Sequence, residues 1–275
     1  GEVQLERVRG RHWAGFRRRV AQSRRAARRI RGMEMARIPA VSGTLKAALA
    51  SPREEGKRPA VILIHEIFGL NDDMREKAQR FADMGYVALA PDLYSTRGPM
   101  PLCVVRMVRG LGAGEGPVFA DLEACRAWLA ARPEVDASRI GVAGFCIGGG
   151  MALLYAVRAP VGAAAVFYGD VPKRQPDLDG VCPVLGGFGG RDKVFGKQGA
   201  RLSRHLQGLQ VANDVLTYPD AGHSYMSDHR GPMAKLSSWG PMRVGFNPEA
   251  ADDSWRRIEA FFGEHLGGAP RAGEA

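Results

Sequence analysis

Cysteine is scarce in this sequence. Its 275 residues include four, Cys103, Cys125, Cys146 and Cys182, and no two form a Cys-x-x-Cys pair. Zinc ribbons and thioredoxin-like centres are built on that spacing, so no metal site and no dithiol chemistry is expected. Four widely separated cysteines are no disulfide framework either, and free thiols in a reducing cytoplasm are the expectation. Long apolar runs are missing too. None approaches the roughly 18 residues that a membrane-spanning helix needs, so no membrane partner is expected. A secretory signal would carry a roughly 7–15-residue apolar core behind its basic start. Here Arg interrupts that region every few residues.

Acidic residues are nearly absent from residues 1–32, where eleven Arg face two Glu and no Lys occurs. That segment holds nine of the ten net positive charges, which leaves the rest of the chain near neutral. A domain that grips nucleic acid would spread basic charge over a folded surface. Charge confined to a detachable arm gives no reason to expect a nucleic-acid partner for the body. Arg clustering with few aromatics favours disorder or a frayed helix in residues 1–32. The arm reads either as an Arg-rich targeting or nucleic-acid-binding tail, or as an upstream extension of the reading frame. The second reading is adopted because the first methionine is Met33. Residues 33–275 are then one catalytic domain, a size at which α/β folds of roughly 200–250 residues often stand as single units. A monomer or small homo-oligomer is expected.

From Ala36 onward short apolar runs alternate with amphipathic stretches, the signature of an α/β fold. Strands are predicted over Thr44–Ala50, Ala60–His65, Tyr86–Ala90, Arg139–Ala143, Gly162–Tyr168, Pro183–Phe188 and Asp214–Tyr218. Runs such as AVILI and GAAAVFY suit parallel strands covered on both faces. Helices are predicted over Asp73–Met84 behind Asn71 or Asp72, over Val118–Ala131 behind Pro117, directly after Cys146, and over Gln198–Gln207 and Asp252–His265. The stretches Ser95–Gly116 and Ser224–Pro248 break the alternation and are expected to fold over the mouth of the sheet, as long loops in compact domains commonly do.

The sharpest chemical signal is Gly144-Phe145-Cys146-Ile147-Gly148, which joins a predicted strand to a predicted helix. This is the context of a nucleophile elbow, G-x-Nuc-x-G. The nucleophile of such a turn sits in strained backbone, and its flanking glycines leave out side chains that would clash. A thiol at a helix N-terminus gains from the free N–H groups and the helix dipole. The Ile147 N–H would then face a developing oxyanion. An elbow needs a carboxylate and a histidine further along the chain, in that order. Asp192 follows the run Pro183–Phe188 in GGRD, and His223 follows the last predicted strand in PDAGHS. His65 precedes the elbow. His12 lies in the arm, His205 and His265 lie on amphipathic helices, and His229 sits in a polar loop. The loop after strand AVILI donates the second oxyanion N–H in such a fold. Ile67 is the candidate donor, and its neighbour Glu66 would project into the site.

These residues together resemble the dienelactone hydrolase family, the cysteine-nucleophile branch of the α/β-hydrolases. The similar segments are HEIFGLND (65–72), GYVALAPDLY (85–94), GFCIGGG (144–150), GGRDKV (189–194) and AGHSYM (221–226). The resemblance implies an α/β-hydrolase fold, with a mostly parallel central sheet and helices on both faces. It implies a Cys146–His223–Asp192 triad, and a Glu66 that interacts with the resting thiol and helps generate the thiolate. It implies no cofactor. Two positions depart from the family. Members hold a substrate carboxylate with two arginines, where this chain has Thr96 and Ser227. Arg97 and Arg230 are adjacent candidates for that role, and Tyr94 is a further candidate substrate contact. The reading is a small-molecule ester or lactone hydrolase. The alternatives are an esterase or thioesterase on another small substrate, and a non-catalytic scaffold or thiol redox sensor.

Residues 1–32 carry charge and none of these chemical elements. A chain beginning at Met33 is therefore expected to unfold at the same denaturant midpoint as the full chain. A clear fall in that midpoint would show that the arm belongs to the folded unit.

Overall fold

The computed structural model describes residues 33–53, 56–96, 116–229 and 238–267. The Arg-rich segment 1–32, Cys103, Arg97 and Arg230 lie outside the described residues. Among those described, eight strands form one sheet: β1 (Glu34–Ala40), β2 (Gly43–Ala50), β3 (Arg58–Ile64), β4 (Val87–Pro91), β5 (Val135–Phe145), β6 (Ala164–Phe167), β7 (Val184–Gly189) and β8 (Asn213–Tyr218). Their order is β1-β2-β4-β3-β5-β6-β7-β8. The first two pairings, β1 with β2 and β2 with β4, are antiparallel, and all others are parallel. The alternation of apolar runs and amphipathic stretches announced an α/β fold, and this is the α/β-hydrolase architecture that the resemblance implied.

Helices α1 (Asp72–Asp83), α2 (Pro117–Ala130), α3 (Ile147–Arg158), α4 (Gln198–Gly208) and α5 (Pro248–Leu266) connect and cover the strands. Every residue of β4 and β6 is buried, so both faces of the sheet are covered there. Strands buried on both sides show no period-two alternation, which is why they read as continuous apolar runs. Helix starts follow their local chemistry. The Asn71 side chain accepts from the Met74 N–H, and that of Asn247 accepts from the Ala250 N–H, so each satisfies one otherwise orphaned amide. An aromatic cluster of Phe81, Tyr86, Trp255 and Phe262 packs α1 to α5. None of the described helices is long and apolar enough to cross a membrane.

The strand β1 has no counterpart among the predicted strands. Only Ala36 and Ile38 turn inward along it, and Arg37 and Pro39 interrupt the apolar signal. Pairing with β2 supplies what its composition does not. The hairpin turn is also tied down, because the N–H and hydroxyl of Ser42 both donate to the buried carboxylate of Asp121 on α2. Strand β5 is longer than predicted and begins at Val135, where Arg58 pairs with it across a register shift. Of the two long loops, 97–115 and 230–237 fall outside the described residues.

Strand order reverses direction at β3, which has β4 on one side and β5 on the other. Open α/β sheets bind ligands at such a switch point, outside the carboxyl ends of the strands. The segments that follow β3, β5, β7 and β8 carry Glu66, Cys146, Asp192 and His223 respectively.

Candidate active site

Cys146 lies between the end of β5 and the start of α3, with φ 56° and ψ −122°. A non-glycine residue with positive φ is uncommon and is held only where its surroundings over-determine it. Here they do. The Cys146 N–H donates to the Phe167 carbonyl at 3.0 Å, and its carbonyl accepts from the Gly149 N–H at 2.9 Å. A Cβ on Gly144 would lie 1.9 Å from the Gly148 carbonyl oxygen, and one on Gly148 would lie 2.3 Å from that of Ile64. The two glycines of the G-x-C-x-G pattern are therefore required by backbone packed directly on backbone.

His223 brings the sulfur and a carboxylate together. Its Nδ1 lies 2.7 Å from Asp192 Oδ2, and its Nε2 lies 3.1 Å from Cys146 Sγ. With Nδ1–H donating to the carboxylate, Nε2 is the acceptor facing the thiol. The other oxygen of Asp192 accepts from the N–H groups of Val194 and Phe195 at 2.8 and 3.0 Å, so the turn itself orients the carboxylate. His223 is buried, with the rings of Phe195 and Tyr168 against it. Its backbone N–H donates to the Met242 carbonyl, and its own carbonyl accepts from the Gly245 N–H. The described ends of the loop 224–248 thus line this site.

The segment after β3 is held by His65. Its Nδ1 donates to the Glu66 carbonyl at 2.6 Å, and its Nε2 accepts from the Leu93 N–H at 3.1 Å. Burial lowers its pKa, consistent with a neutral ring that donates at one nitrogen and accepts at the other. Tyr94 packs edge-on against His65 and beside Gly69, supporting the same loop. Thr96 sits with its methyl against Gly43, at the turn of the β1–β2 hairpin. The loop presents the N–H of Ile67 to the Cys146 sulfur, and the Ile147 N–H faces the same atom. Burial, followed by the charge of Glu66, pushes the thiol up to about 12, while those two amides pull against the shift.

Glu66 is buried and all four of its acceptor positions are filled. Oε1 accepts from the hydroxyls of Tyr168 and Ser227 at 3.0 and 2.8 Å. Oε2 accepts from Ser224 Oγ and His229 Nε2 at 3.1 and 2.8 Å. Behind Ser227 lies the buried Lys77, whose Nζ reaches Ser227 Oγ at 3.0 Å and Asp73 Oδ2 at 2.5 Å. Burial opposes the charge of Glu66, but the bond to His229, the positive charges of His229 and Lys77 and the Ser227 hydroxyl outweigh it. They hold the carboxyl at about 2. Sequence pattern missed this cage. Ser227 was legible only as a departure from an arginine, and His229 only as a loop histidine. Lys77 sat within an amphipathic helix, where a buried lysine has no pattern of its own.

Cys125 and Cys182 have no comparable setting. Burial pushes each up to about 12, and among the described residues neither is hydrogen-bonded to a histidine. Cys146 is raised as far, so its geometry and not its resting pKa distinguishes it.

The sequence profile of the dienelactone hydrolase family matches residues 45–266. A protein of Salmonella typhimurium, provisionally named carboxymethylenebutenolidase, is 33% identical over 84% of this chain and 86% of its own length. One of Methylorubrum extorquens with the same provisional name is 31% identical over 83% of this chain and 80% of its own. The crystal structure of a protein from Klebsiella pneumoniae, provisionally named dienelactone hydrolase, superposes with a TM-score of 0.70 at 28% identity. It covers 84% of this chain and 98% of that one.

The charge state of Glu66 has a consequence for stability. A carboxyl held near 2 instead of the ordinary 4.5 stabilises the fold above the unfolded value, and that contribution is lost as pH falls toward 2. Its partner His229 stays protonated throughout that window, so the loss comes from the carboxylate alone. Wild-type protein is expected to lose on the order of 3 kcal/mol more than Glu66→Gln between about pH 5 and the acid limit, at 1.36 kcal/mol per pKa unit. Urea denaturation at stepped pH measures this, and parallel slopes for the two proteins would contradict it.

Proposed function

Because the chain belongs to the dienelactone hydrolase family, we propose that it hydrolyses small esters or lactones through a thioester on Cys146. The observation that carries this reading is the continuous hydrogen-bonded line from Asp192 through His223 to the Cys146 sulfur. His223 Nε2 takes the thiol proton as the sulfur attacks the carbonyl carbon. The carbonyl oxygen becomes an oxyanion beside the sulfur, where the N–H groups of Ile67 and Ile147 face it. A donor of this kind contributes roughly 3–4 kcal/mol to the transition state. The imidazolium, held in orientation and stabilised by Asp192, returns the proton to the departing oxygen. In a lactone that oxygen remains attached to the acyl group through the ring atoms. His223 then draws a proton from water, the hydroxide attacks the thioester, and the thiol is restored. Every step uses groups of the chain and water.

Glu66 has a different role in this scheme from that of a proton acceptor. A carboxylate held at about 2, with four donors on its oxygens, is a weak base. Its influence on Cys146 is electrostatic: it keeps the resting thiol protonated and less open to oxidation.

The substrate class follows from the positions that depart from the family. Ser227 is occupied between Lys77 and Glu66, and Thr96 lies against Gly43. Neither offers a guanidinium fork for a carboxylate. Neutral small esters and lactones are the proposed substrates.

Two outcomes test the reading. Cys146→Ala should abolish hydrolysis of a p-nitrophenyl ester and of a lactone, while Cys125→Ala and Cys182→Ala should retain it. Intact-mass measurement with a slow ester should find the acyl group on Cys146, and turnover surviving in Cys146→Ala would overturn the mechanism. Dienelactone, which carries a free carboxylate, should be turned over no better than a neutral lactone of similar size, each lost charged contact costing about ten-fold or more. Efficient dienelactone hydrolysis that collapses in Arg97→Ala or Arg230→Ala would contradict the proposed preference.

A further inference from the structure

His229 departs from its sequence-level description as a residue of a polar loop. Its Nε2 lies 2.8 Å from Glu66 Oε2, and its ring packs edge-on against Phe68 with centroids 4.8 Å apart. Its side chain is 13% exposed and that of Glu66 4% exposed, so the pair is largely withdrawn from water. The partner carboxylate is the same group whose negative charge bears on the nucleophile. Glu66 thus lies between a thiol that its charge disfavours as a thiolate and an imidazole that its charge favours as a cation.

We propose that His229 is the counter-ion of Glu66 and a positioning residue for the nucleophile: protonated, it pins Glu66 in its cage and offsets the charge that Glu66 projects onto Cys146. The inference rests on the reading of Cys146 as nucleophile. The groups around His229 favour the charged form on balance. Burial opposes it, but the bond and charge of Glu66 together with Asp73 raise its pKa above the ordinary 6.5, and Lys77 works against them. Around Cys146 the charged and titratable groups are Glu66, Asp192 and His223. When His229 loses its proton, Nε2–H can still donate to Glu66, so the geometry survives and only the compensating charge disappears. The full charge of Glu66 then acts on the sulfur and raises the thiol pKa further. Nucleophile reactivity therefore depends on a histidine that does not touch it.

The sign of this effect separates it from a structural role. Loss of the His229 charge should make Cys146 harder to ionise, and loss of the Glu66 charge should make it easier. Once Glu66 is neutral, His229 loses the partner that keeps it protonated, so near neutral pH it carries no charge to bear on Cys146. The experiment is the rate of Cys146 alkylation by iodoacetamide across pH, in wild type, His229→Gln, Glu66→Gln and the double variant. His229→Gln should slow alkylation near neutral pH by roughly three- to ten-fold, as a single charge near a partly buried site would. Glu66→Gln should speed it, and adding His229→Gln to Glu66→Gln should change nothing. An unmoved profile in His229→Gln, or an equal shift in both backgrounds, overturns the proposal. Should His229→Gln fail to fold, imidazole NMR titration decides instead. The pKa of His229 should drop in Glu66→Gln relative to wild type, and an unchanged value overturns the counter-ion role. Alkylation is read without substrate. A wild type that alkylates as described but turns over no ester would refute the hydrolase mechanism and leave this proposal intact.

Discussion

The carbonyl oxygens of Ile64 and His65 press against Gly148 so closely that a Cβ there would lie 2.3 and 2.6 Å from them. This backbone contact joins the end of β3 to the first turn of α3. It places the loop that carries Glu66 and Ile67 beside the residue that starts the helix, Cys146. The adjacency of β3 and β5 in the sheet makes the contact available, and the absence of side chains at Gly144 and Gly148 allows it to close. The amide of Ile67 could not face the same sulfur as that of Ile147 if this approach were wider.

Around that contact the site balances charge with neighbours instead of with solvent. Glu66 and Lys77 are both buried, and each is hydrogen-bonded within a line that runs from Asp73 through Ser227 to His229. A buried charge left without partners costs several kcal/mol, so the members of such a line are mutually dependent. The line also explains why Ser227 suits its position. A small hydroxyl both accepts from Lys77 and donates to Glu66, and an arginine there would have to displace one of them. Asp192 and His223 form a second hydrogen-bonded pair, with His223 Nε2 at the sulfur. The Cys146 sulfur thus has the His223 imidazole 3.1 Å away, while the charge of Glu66 disfavours its ionisation.

Much of this arrangement is legible in the sequence. The elbow is local: Gly144 and Gly148 flank Cys146 at two residues' distance where a strand passes into a helix, so spacing alone announces it. Asp192 and His223 were legible because each sits in a glycine-containing segment after a predicted strand, Pro183–Phe188 and Asp214–Tyr218 respectively. The central strands were read from continuous apolar runs because burial on both faces leaves no other pattern. The strand β1 escaped because its identity depends on its partner, β2, and only Ala36 and Ile38 face the core. Loop 97–115 had a predicted role, folding over the mouth of the sheet, that lies outside the described residues.

The sequence by itself determined the fold class and the spacing that sets Cys146, Asp192 and His223 in order behind successive strands. These depend on spacing along one chain, and spacing is visible in a string of letters. Tertiary structure alone decided the surroundings of Glu66. Its four donors come from Tyr168, Ser224, Ser227 and His229, more than a hundred residues away in the chain, and Lys77 approaches from a separate helix. Whether a loop carboxylate is solvated, acts as a base or is a caged charge depends on how many donors reach its oxygens. That number is set by packing between distant segments and leaves no period or motif in the sequence.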